Sequence, residues 1–191
     1  MSGPVFPALS LWQPWALLVA HGLKWLETRP WAPHRDLIGT RMAFAATASV
    51  AKDAKDELRH GAPNSQALLD AVRTCGYKIG WDRKKLVHDM PLGRVMCTAV
   101  LLGSYPMLDA QTAARDLPER CLLVGPKRLL LIRPEGDVDA TSQLPFGVFE
   151  PGRVAWHLGP PTLVEGDHPA KGRQQVWNWR PTSDIGGVDP F

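Results

Sequence analysis

The sequence predicts an α+β fold, a small mixed β-barrel with surrounding helices. Two observations favour this class: several short apolar segments are separated by turn residues, and few segments have helical periodicity. The 191 residues suit one domain with its own core, and no repeat or linker divides them. We therefore expect a single domain over residues 1–191, with its core between residues 8 and 179.

The strands are predicted from apolar segments with β-type alternation or composition. Arg94–Leu102 is the clearest of them, since it is rich in valine and leucine. The other predicted strands are Ala8–Trp12, an extended segment at Lys24–Thr28, Thr40–Ala46, Leu122–Val124, Arg128–Ile132, Arg153–Leu158 and Pro161–Val164. Residues 135–152 are rich in glycine, proline, aspartate and serine, so a long loop is predicted there.

The first helix is predicted at Pro14–His21. Proline at the first helical position costs no hydrogen bond, and Trp15, Leu18 and Val19 recur at helical spacing. Gly22 then supplies a C-terminal stop.

Residues 50–90 are predicted to form a helical insertion at the periphery. The two expected helices are Val50–His60 and Ser65–Cys75, and their apolar faces are weak. A basic cluster, Arg83–Lys85, follows in or beside a loop. Residues 182–191 are expected to form a frayed tail.

Cysteine content and hydropathy bound the class of protein. The three cysteines are an odd number without a CxxC pair, which argues against disulfides and indicates a cytoplasmic location. We expect no signal peptide, because residues 1–11 have neither a basic n-region nor a long apolar core. We expect no membrane partner, because no run of about 20 apolar residues occurs. Histidine and cysteine do not recur at zinc-ligand spacings, so neither a metal nor another cofactor is expected.

Three groups of motifs, in this order, together resemble the ASCH family (activating-signal-cointegrator homology) of the PUA-like superfamily. The first group is LSLWQPWA at 9–16, GLK at 22–24 and ETR at 27–29; the second is PLGRV at 91–95; the third is GRVAWHL at 152–158, KG at 171–172 and QQVWNW at 174–179. The resemblance spans nearly the whole chain and implies a PUA-like barrel. It also implies a groove at the barrel mouth, lined by GLKWLETR (residues 22–29) and KGRQQVWNW (171–179).

The resemblance implies more than one kind of function. PUA-like domains suggest binding of RNA or single-stranded nucleic acid, or of a nucleoside-like small molecule. Some ASCH-like proteins instead hydrolyse acetylcytidine with a lysine, a threonine and a glutamate, and other relatives are proposed ribonucleases. A small hydrolase with Lys24 and Glu27 catalytic is therefore the alternative to a binding module. An interaction adaptor with an empty groove is a third interpretation.

The chain departs from the family pattern at two places. Glu27 occupies the position where the acetylcytidine hydrolases have threonine, and Thr28 is one residue out of register. The strand after the first motif reads FAATA at 44–48, where many relatives carry a histidine and a lysine. The first departure weakens the hydrolase interpretation, and the second argues against any family role that depends on that histidine and lysine.

The charged residues of the first group of motifs are Lys24, Glu27 and Arg29. In an extended segment Glu27 and Arg29 share one face, and Lys24 lies on the opposite face. A lysine withdrawn from water can act as a base or nucleophile, and an arginine can hold a phosphate through two hydrogen bonds. The alternative is an ordinary ion pair beside a turn.

The other candidate binding residues are polar or aromatic and lie in the same motifs or next to them. Gln13 can read a base edge or merely cap the following helix, and Ser10 can contact a ligand or be buried. The predicted binding residues are Ser10, Gln13, Trp15, Thr28, Arg29, Trp31, Lys171, Arg173 and Gln175.

Tryptophan is abundant, with eight in the chain, and most of them flank the first and last motifs. Residues 168–181 contain no acid, and the cations of that stretch are interleaved with Trp177 and Trp179. Cations alternating with aromatic rings are typical of single-strand binding. Since tryptophan is mostly buried on average, we nevertheless expect about two-thirds of the eight to lie in the core.

Overall fold

The computed structural model describes residues 4–50, 65–82, 85–182 and 185. Its strands are β1 (Phe6–Gln13), β2 (Leu26–Arg29), β3 (Arg41–Val50), β4 (Ile79–Asp82), β5 (Lys85–His88), β6 (Arg94–Leu108), β7 (Cys121–Gly125), β8 (Arg128–Ile132), β9 (Val138–Asp139), β10 (Val154–Leu158), β11 (Thr162–Leu163) and β12 (Val176–Trp179). Its α-helices are α1 (Trp15–Ala20), α2 (Ser65–Thr74) and α3 (Ala110–Ala113), and short 3-10 helices lie at Arg35–Leu37 and Thr141–Phe146. The chain is mostly β-sheet with few helices, which confirms the predicted α+β class.

Packing divides the chain into two compact units. The first unit is built from the described residues of Met1–Lys24, Thr40–Val100 and Pro160–Phe191. The second is built from Trp25–Gly39 and Leu101–Gly159. Strand β6 contributes residues 94–100 to the first unit and residues 101–108 to the second.

The first unit is a sheet with the strand order β12–β1–β3–β6, and β11 also pairs with β6. Strands β1 and β3 are parallel, and the other pairs are antiparallel. Small residues on β1 and β3, among them Ala8, Ala43 and Ala45, leave room for the ring of Trp179 in the core. Helix α1 buries all of its residues except Trp15, and β4 and β5 form a separate antiparallel pair.

The second unit contains two runs of paired strands that share β6. Strand β10 lies between β2 and β6, antiparallel to both. The end of β6 also pairs in parallel with β7. Strand β7 pairs with β8, and β8 pairs with β9, both in antiparallel fashion. The core of this unit is formed by Leu26, Tyr105, Met107, Leu122, Leu129, Leu131, Ala140 and Ala155.

The closed barrel expected from the sequence is not confirmed. In each unit, the strand pairings of the described residues run as an open path from one edge strand to another. Strand β11 has only two residues, both exposed, and it follows Pro160 and Pro161. Proline has no N–H to donate to a ladder, which limits how far this edge can be extended.

The charged motif begins its strand later than predicted. Leu18 O accepts hydrogen bonds from the backbone N–H groups of Leu23 and Lys24, so Lys24 belongs to the turn that ends α1. Gly22 has φ of 72°, as its predicted role as a helix stop requires. Strand β2 therefore starts at Leu26 instead of Lys24.

The insertion and the long loop contain more β-structure than predicted. The helix expected at Ser65–Cys75 is present as α2, but β4 and β5 follow it within residues 50–90. Residues 135–152 contain β9 and a 3-10 helix. Turn-forming composition predicts a loop at residues 135–152, but pairing with β8 makes β9 a strand.

Three other predictions fall largely outside the described residues. The helix expected at Val50–His60 lies there apart from Val50, which ends β3. The basic cluster lies there apart from Lys85, which begins β5. The tail predicted at residues 182–191 lies there apart from Thr182 and Ile185.

The three cysteines, Cys75, Cys97 and Cys121, are buried free thiols. Burial raises the pKa of Cys75 to about 11 and also raises the pKa values of the other two. Thiolate is the reactive form of cysteine, so these thiols are poor nucleophiles. In the part of the chain that the structure describes, no helix has the length and apolar character to cross a membrane.

Candidate functional site

The hydroxyl of Ser10 holds the last motif onto the first. Ser10 Oγ accepts a hydrogen bond of 3.0 Å from the backbone N–H of Arg173 and another of 3.0 Å from the indole N–H of Trp177. A serine oxygen has two acceptor lone pairs, so both donors are satisfied by one atom. The segment 171–175 is thereby fixed against β1, ahead of β12.

Strand alternation places Ser10 between the core and the solvent. Phe6, Ala8, Ser10 and Trp12 share one face of β1, and their exposure increases along the strand from the buried Phe6 to Trp12, which is 52% exposed. Phe6 packs against Trp179 with ring centroids 5.7 Å apart. The inner half of this face is core, and its outer half is accessible to a ligand.

We call this accessible area the Ser10 surface, and it comprises Ser10, Trp12, Thr47, Lys171, Arg173, Gln175 and Trp177. Arg173 lies over Trp177, with its Cζ 5.7 Å from the ring centroid, a cation–π arrangement. A Cβ on Gly172 would lie 3.2 Å from Thr47 Cγ2, so glycine permits the close approach of the segment to β3. Lys171, Arg173 and Gln175 are exposed, and Trp177 is half-buried.

Hydrogen bonds within the first unit join parts of the three groups of motifs. Gln13 Nε2 donates to the carbonyl of Pro91 at 2.7 Å, which joins the first group to the second. The carbonyl of Gly93 accepts from Ala170 N at 2.8 Å, which joins the second group to the residue before the KG of the third group. Together with the bonds of Ser10, these contacts bring distant segments of the sequence together in the first unit.

Gln13 is fully buried and holds the helix start. Its Oε1 accepts from Leu17 N at 3.0 Å, so the capping role, one of its two predicted roles, is present. The same amide also donates to Pro91, so both ends of the side chain are engaged. Gln13 is therefore well placed to position α1, and direct contact with a ligand stays a prediction.

Lys24 is a buried lysine, only 2% exposed, in the first unit. Its Nζ lies 6.0 Å from the ring centroid of the half-buried Trp15. A buried ammonium is costly unless neighbouring groups compensate it, and an aromatic face is one such group. The structure thus brings two of the predicted residues, Lys24 and Trp15, together.

Glu27 and Arg29 form an ion pair in the second unit. They share one face of β2, as predicted, and Arg29 Nε lies 2.9 Å from Glu27 Oε1. Glu27 is 7% exposed and stands opposite Trp156 in the pairing of β2 with β10. Trp156 in turn meets the ring of Trp31 edge-on, with centroids 4.9 Å apart, and donates to Trp31 O at 3.3 Å. The groove predicted to be lined by GLKWLETR, which contains both Lys24 and Glu27, stays a prediction.

Thr28 has a structural role on the opposite face of β2. Its hydroxyl accepts from Val148 N at 3.3 Å, and its carbonyl accepts from Arg153 Nη2 at 3.3 Å. Sequence reasoning missed Gln143, whose buried Oε1 accepts from Trp25 N at 2.9 Å and Leu26 N at 3.2 Å. No local pattern indicates this role, because Gln143 lies more than a hundred residues from the strand that it holds.

The tryptophans are less buried than expected. Of the seven whose side chains the structure describes, only Trp156 and Trp179 are buried. The others are half-buried except for Trp12, which is exposed. The number of tryptophans is visible in the sequence, but which of their rings stay accessible is not.

Comparison of the sequence with known families and proteins assigns no function to this geometry. No family model matches the chain, and no curated protein matches it. The ASCH resemblance therefore stays a prediction that rests on the motifs. Among the described residues, no group of three or more histidine, cysteine, aspartate or glutamate side chains is placed to hold a metal ion.

Gln175 carries backbone strain at the Ser10 surface. It is the one non-glycine residue of the described chain with positive φ, at 57°. This conformation costs a side-chain-bearing residue about 1 kcal/mol or more. We expect Gln175→Gly to raise the free energy of unfolding by up to about 1 kcal/mol, and Gln175→Val to lower it by about 1–2 kcal/mol.

Chemical denaturation of the two variants measures both changes. The control is Gln174→Gly at the neighbouring exposed residue, where φ is ordinary and glycine should destabilise by about 0.5–1 kcal/mol. Equal destabilisation by glycine at both positions would contradict the strain at Gln175.

Proposed function

We propose that this chain is an ASCH-type, PUA-like domain that binds RNA or single-stranded nucleic acid, or a nucleoside, at the Ser10 surface. The observation that carries the proposal is the stack of Arg173 on Trp177, fixed by two hydrogen bonds to one serine oxygen. A base bound there meets an aromatic ring and a guanidinium plane that are already in place.

The chemistry of the Ser10 surface suits a single strand. Every base has a π-face, so stacking on tryptophan tolerates any sequence, and arginine adds a cation–π contribution. Lys171 is exposed in the same segment, and residues 168–181 contain no acid that would repel a phosphate. In a duplex the base faces are covered by their neighbours, so the proposal requires unpaired bases.

Pre-organisation favours binding over an incidental arrangement. Gly172 packs against Thr47, and Trp177 is packed on the core cluster of the first unit. Binding to this segment therefore loses less conformational entropy than binding to a flexible basic tail would lose. The proposal includes the barrel and the groove lined by GLKWLETR and KGRQQVWNW. Both rest on the motif resemblance.

Replacement of Trp177 and Arg173 tests the proposal. We expect Trp177→Ala to weaken binding of a single-stranded RNA about tenfold or more, because one stacked base is lost. Arg173→Gln should lower the slope of log affinity against log salt by about one, because one phosphate contact is lost. Fluorescence anisotropy of a labelled ten-nucleotide RNA, from low to physiological salt, measures both.

Two controls sharpen this test. Lys127→Gln removes an exposed cation of the second unit and should leave the affinity unchanged. A duplex of the same sequence should bind more weakly than the single strand. Absence of binding to RNA and single-stranded DNA at low salt, or equal affinity of wild type and Trp177→Ala, would refute the proposal.

A second candidate function is hydrolysis of a modified nucleoside. The observation that favours it is the burial of Lys24 beside Trp15, since a lysine withdrawn from water is one form of activated nucleophile. Against it stands the carboxylate of Glu27, where the acetylcytidine hydrolases have a hydroxyl. We rank binding first for this reason.

Incubation with acetylcytidine separates the two candidates. We expect no release of cytidine above the uncatalysed rate, because the chain lacks the threonine of the hydrolase pattern. Liquid chromatography of the reaction mixture measures the product. Robust release that is lost in Lys24→Met, a variant of similar volume that keeps the fold, would make hydrolysis the leading function.

A further inference from the structure

The first unit also contains a cleft that is lined by none of the residues of the Ser10 surface. Its volume is about 380 Å³, within the range of about 300–1,000 Å³ typical of small-ligand sites. The side chains that matter for recognition are His21, Tyr77, Asp89, Arg94, Leu163 and Val164. None of these residues was among the predicted site residues.

The charges of this cleft are mixed. Arg94 Nη2 donates to the carbonyl of Gly166 and lies 3.6 Å from Asp167 Oδ1, and Nε and Nη1 take no part in these two contacts. Asp89 Oδ1 accepts from Lys78 N at 2.6 Å, which fixes the carboxylate, and Oδ2 and the second lone pair of Oδ1 take no part in this contact. A simple anion is opposed by Asp89 and a simple cation by Arg94. The cleft therefore favours an uncharged group that carries both donors and acceptors.

The walls of the cleft favour a flat ligand. The rings of His21 and Tyr77 meet edge to face with centroids 6.3 Å apart. Leu163, which is exposed, and the buried Val164 supply an apolar side. A planar heterocycle can cover aromatic and aliphatic surface here while its edge meets the polar groups.

We propose that this cleft binds a guanine-type base. Guanine presents two adjacent donors, N1–H and the N2 amino group, which match the two oxygens of a carboxylate such as Asp89. Its O6 and N7 are acceptors, for which an arginine is the usual partner. Adenine and cytosine do not offer this combination of a paired donor edge and a paired acceptor edge. Asp89 thus determines specificity, and Arg94 completes the recognition.

The guanine site does not rest on the proposed function of the Ser10 surface. It shares no residue with that surface, so a variant of either site leaves the chemical groups of the other in place. The two proposals can therefore fail separately.

Titration of the protein with nucleosides, followed by NMR of its backbone amides, tests the guanine site. We expect guanosine to shift the amides of Tyr77, Asp89 and Arg94, and cytidine to leave them unchanged. Inosine lacks the N2 amino group and should bind more weakly than guanosine to the wild type.

Asp89→Asn is the decisive variant. Asparagine keeps an acceptor for Lys78 N, so the fold is preserved, but it presents one oxygen instead of the carboxylate pair. We expect guanosine to bind this variant about tenfold more weakly, and guanosine and inosine to bind it equally. Asp116→Asn, at an exposed aspartate of the second unit, is the matched control and should bind guanosine as the wild type does.

Trp177→Ala should leave guanosine binding unchanged even where it removes binding of RNA. Three results would overturn the guanine site. One is the absence of amide shifts with saturating guanosine, and another is equal affinity of wild type and Asp89→Asn. The third is loss of the guanosine shifts in Trp177→Ala, which would place the nucleoside at the Ser10 surface instead.

Discussion

Two hydrogen bonds to one serine oxygen determine how the last motif is presented. Without Ser10 Oγ, the N–H of Arg173 and the indole N–H of Trp177 would have to find water or another acceptor. The segment between them contains Gly172 against Thr47 and the strained Gln175, neither of which is favourable unless the surrounding contacts hold it. The stack of cation and ring, and with it the proposed binding of a base, depends on this docking.

Polar side chains also accept hydrogen bonds from backbone N–H groups at the ends of other elements that contain motif residues. Gln13 caps α1 and reaches Pro91, and Gln143 accepts from the first two amides of the segment that becomes β2. All three side chains accept hydrogen bonds from backbone N–H groups, and an N–H group that is buried without a hydrogen-bond partner is costly. Polar side chains of β1 and of the second 3-10 helix thus fix segments that carry the candidate binding residues.

Local patterns predicted much of the regular structure and the outline of the site. Alternation of side chains identified β1 and β10. Helix α1 was identified by Pro14 at its start and Gly22 at its end. The face shared by Glu27 and Arg29 followed from strand geometry alone. What sequence could not supply depends on distant partners: the start of β2 is fixed by Leu18 and Gln143, and β9 exists because β8 pairs with it. The proposed guanine site draws residues from the turn after α1, from the link between α2 and β4, from the stretch around β5 and β6, and from the end of β11, and no single motif contains them.

The affinity of Ser10→Ala for single-stranded RNA tests the central claim most directly. Alanine removes one oxygen and leaves Arg173, Trp177 and Lys171 in the chain. Since each lost hydrogen bond is worth about 0.5–1.5 kcal/mol, we expect binding to weaken about fivefold or more at constant salt. Ser142→Ala, at an exposed serine of the second unit, should bind as the wild type does. If Ser10→Ala also binds with wild-type affinity, the docked segment is not the binding surface, and Ser10 does not control the binding of a base.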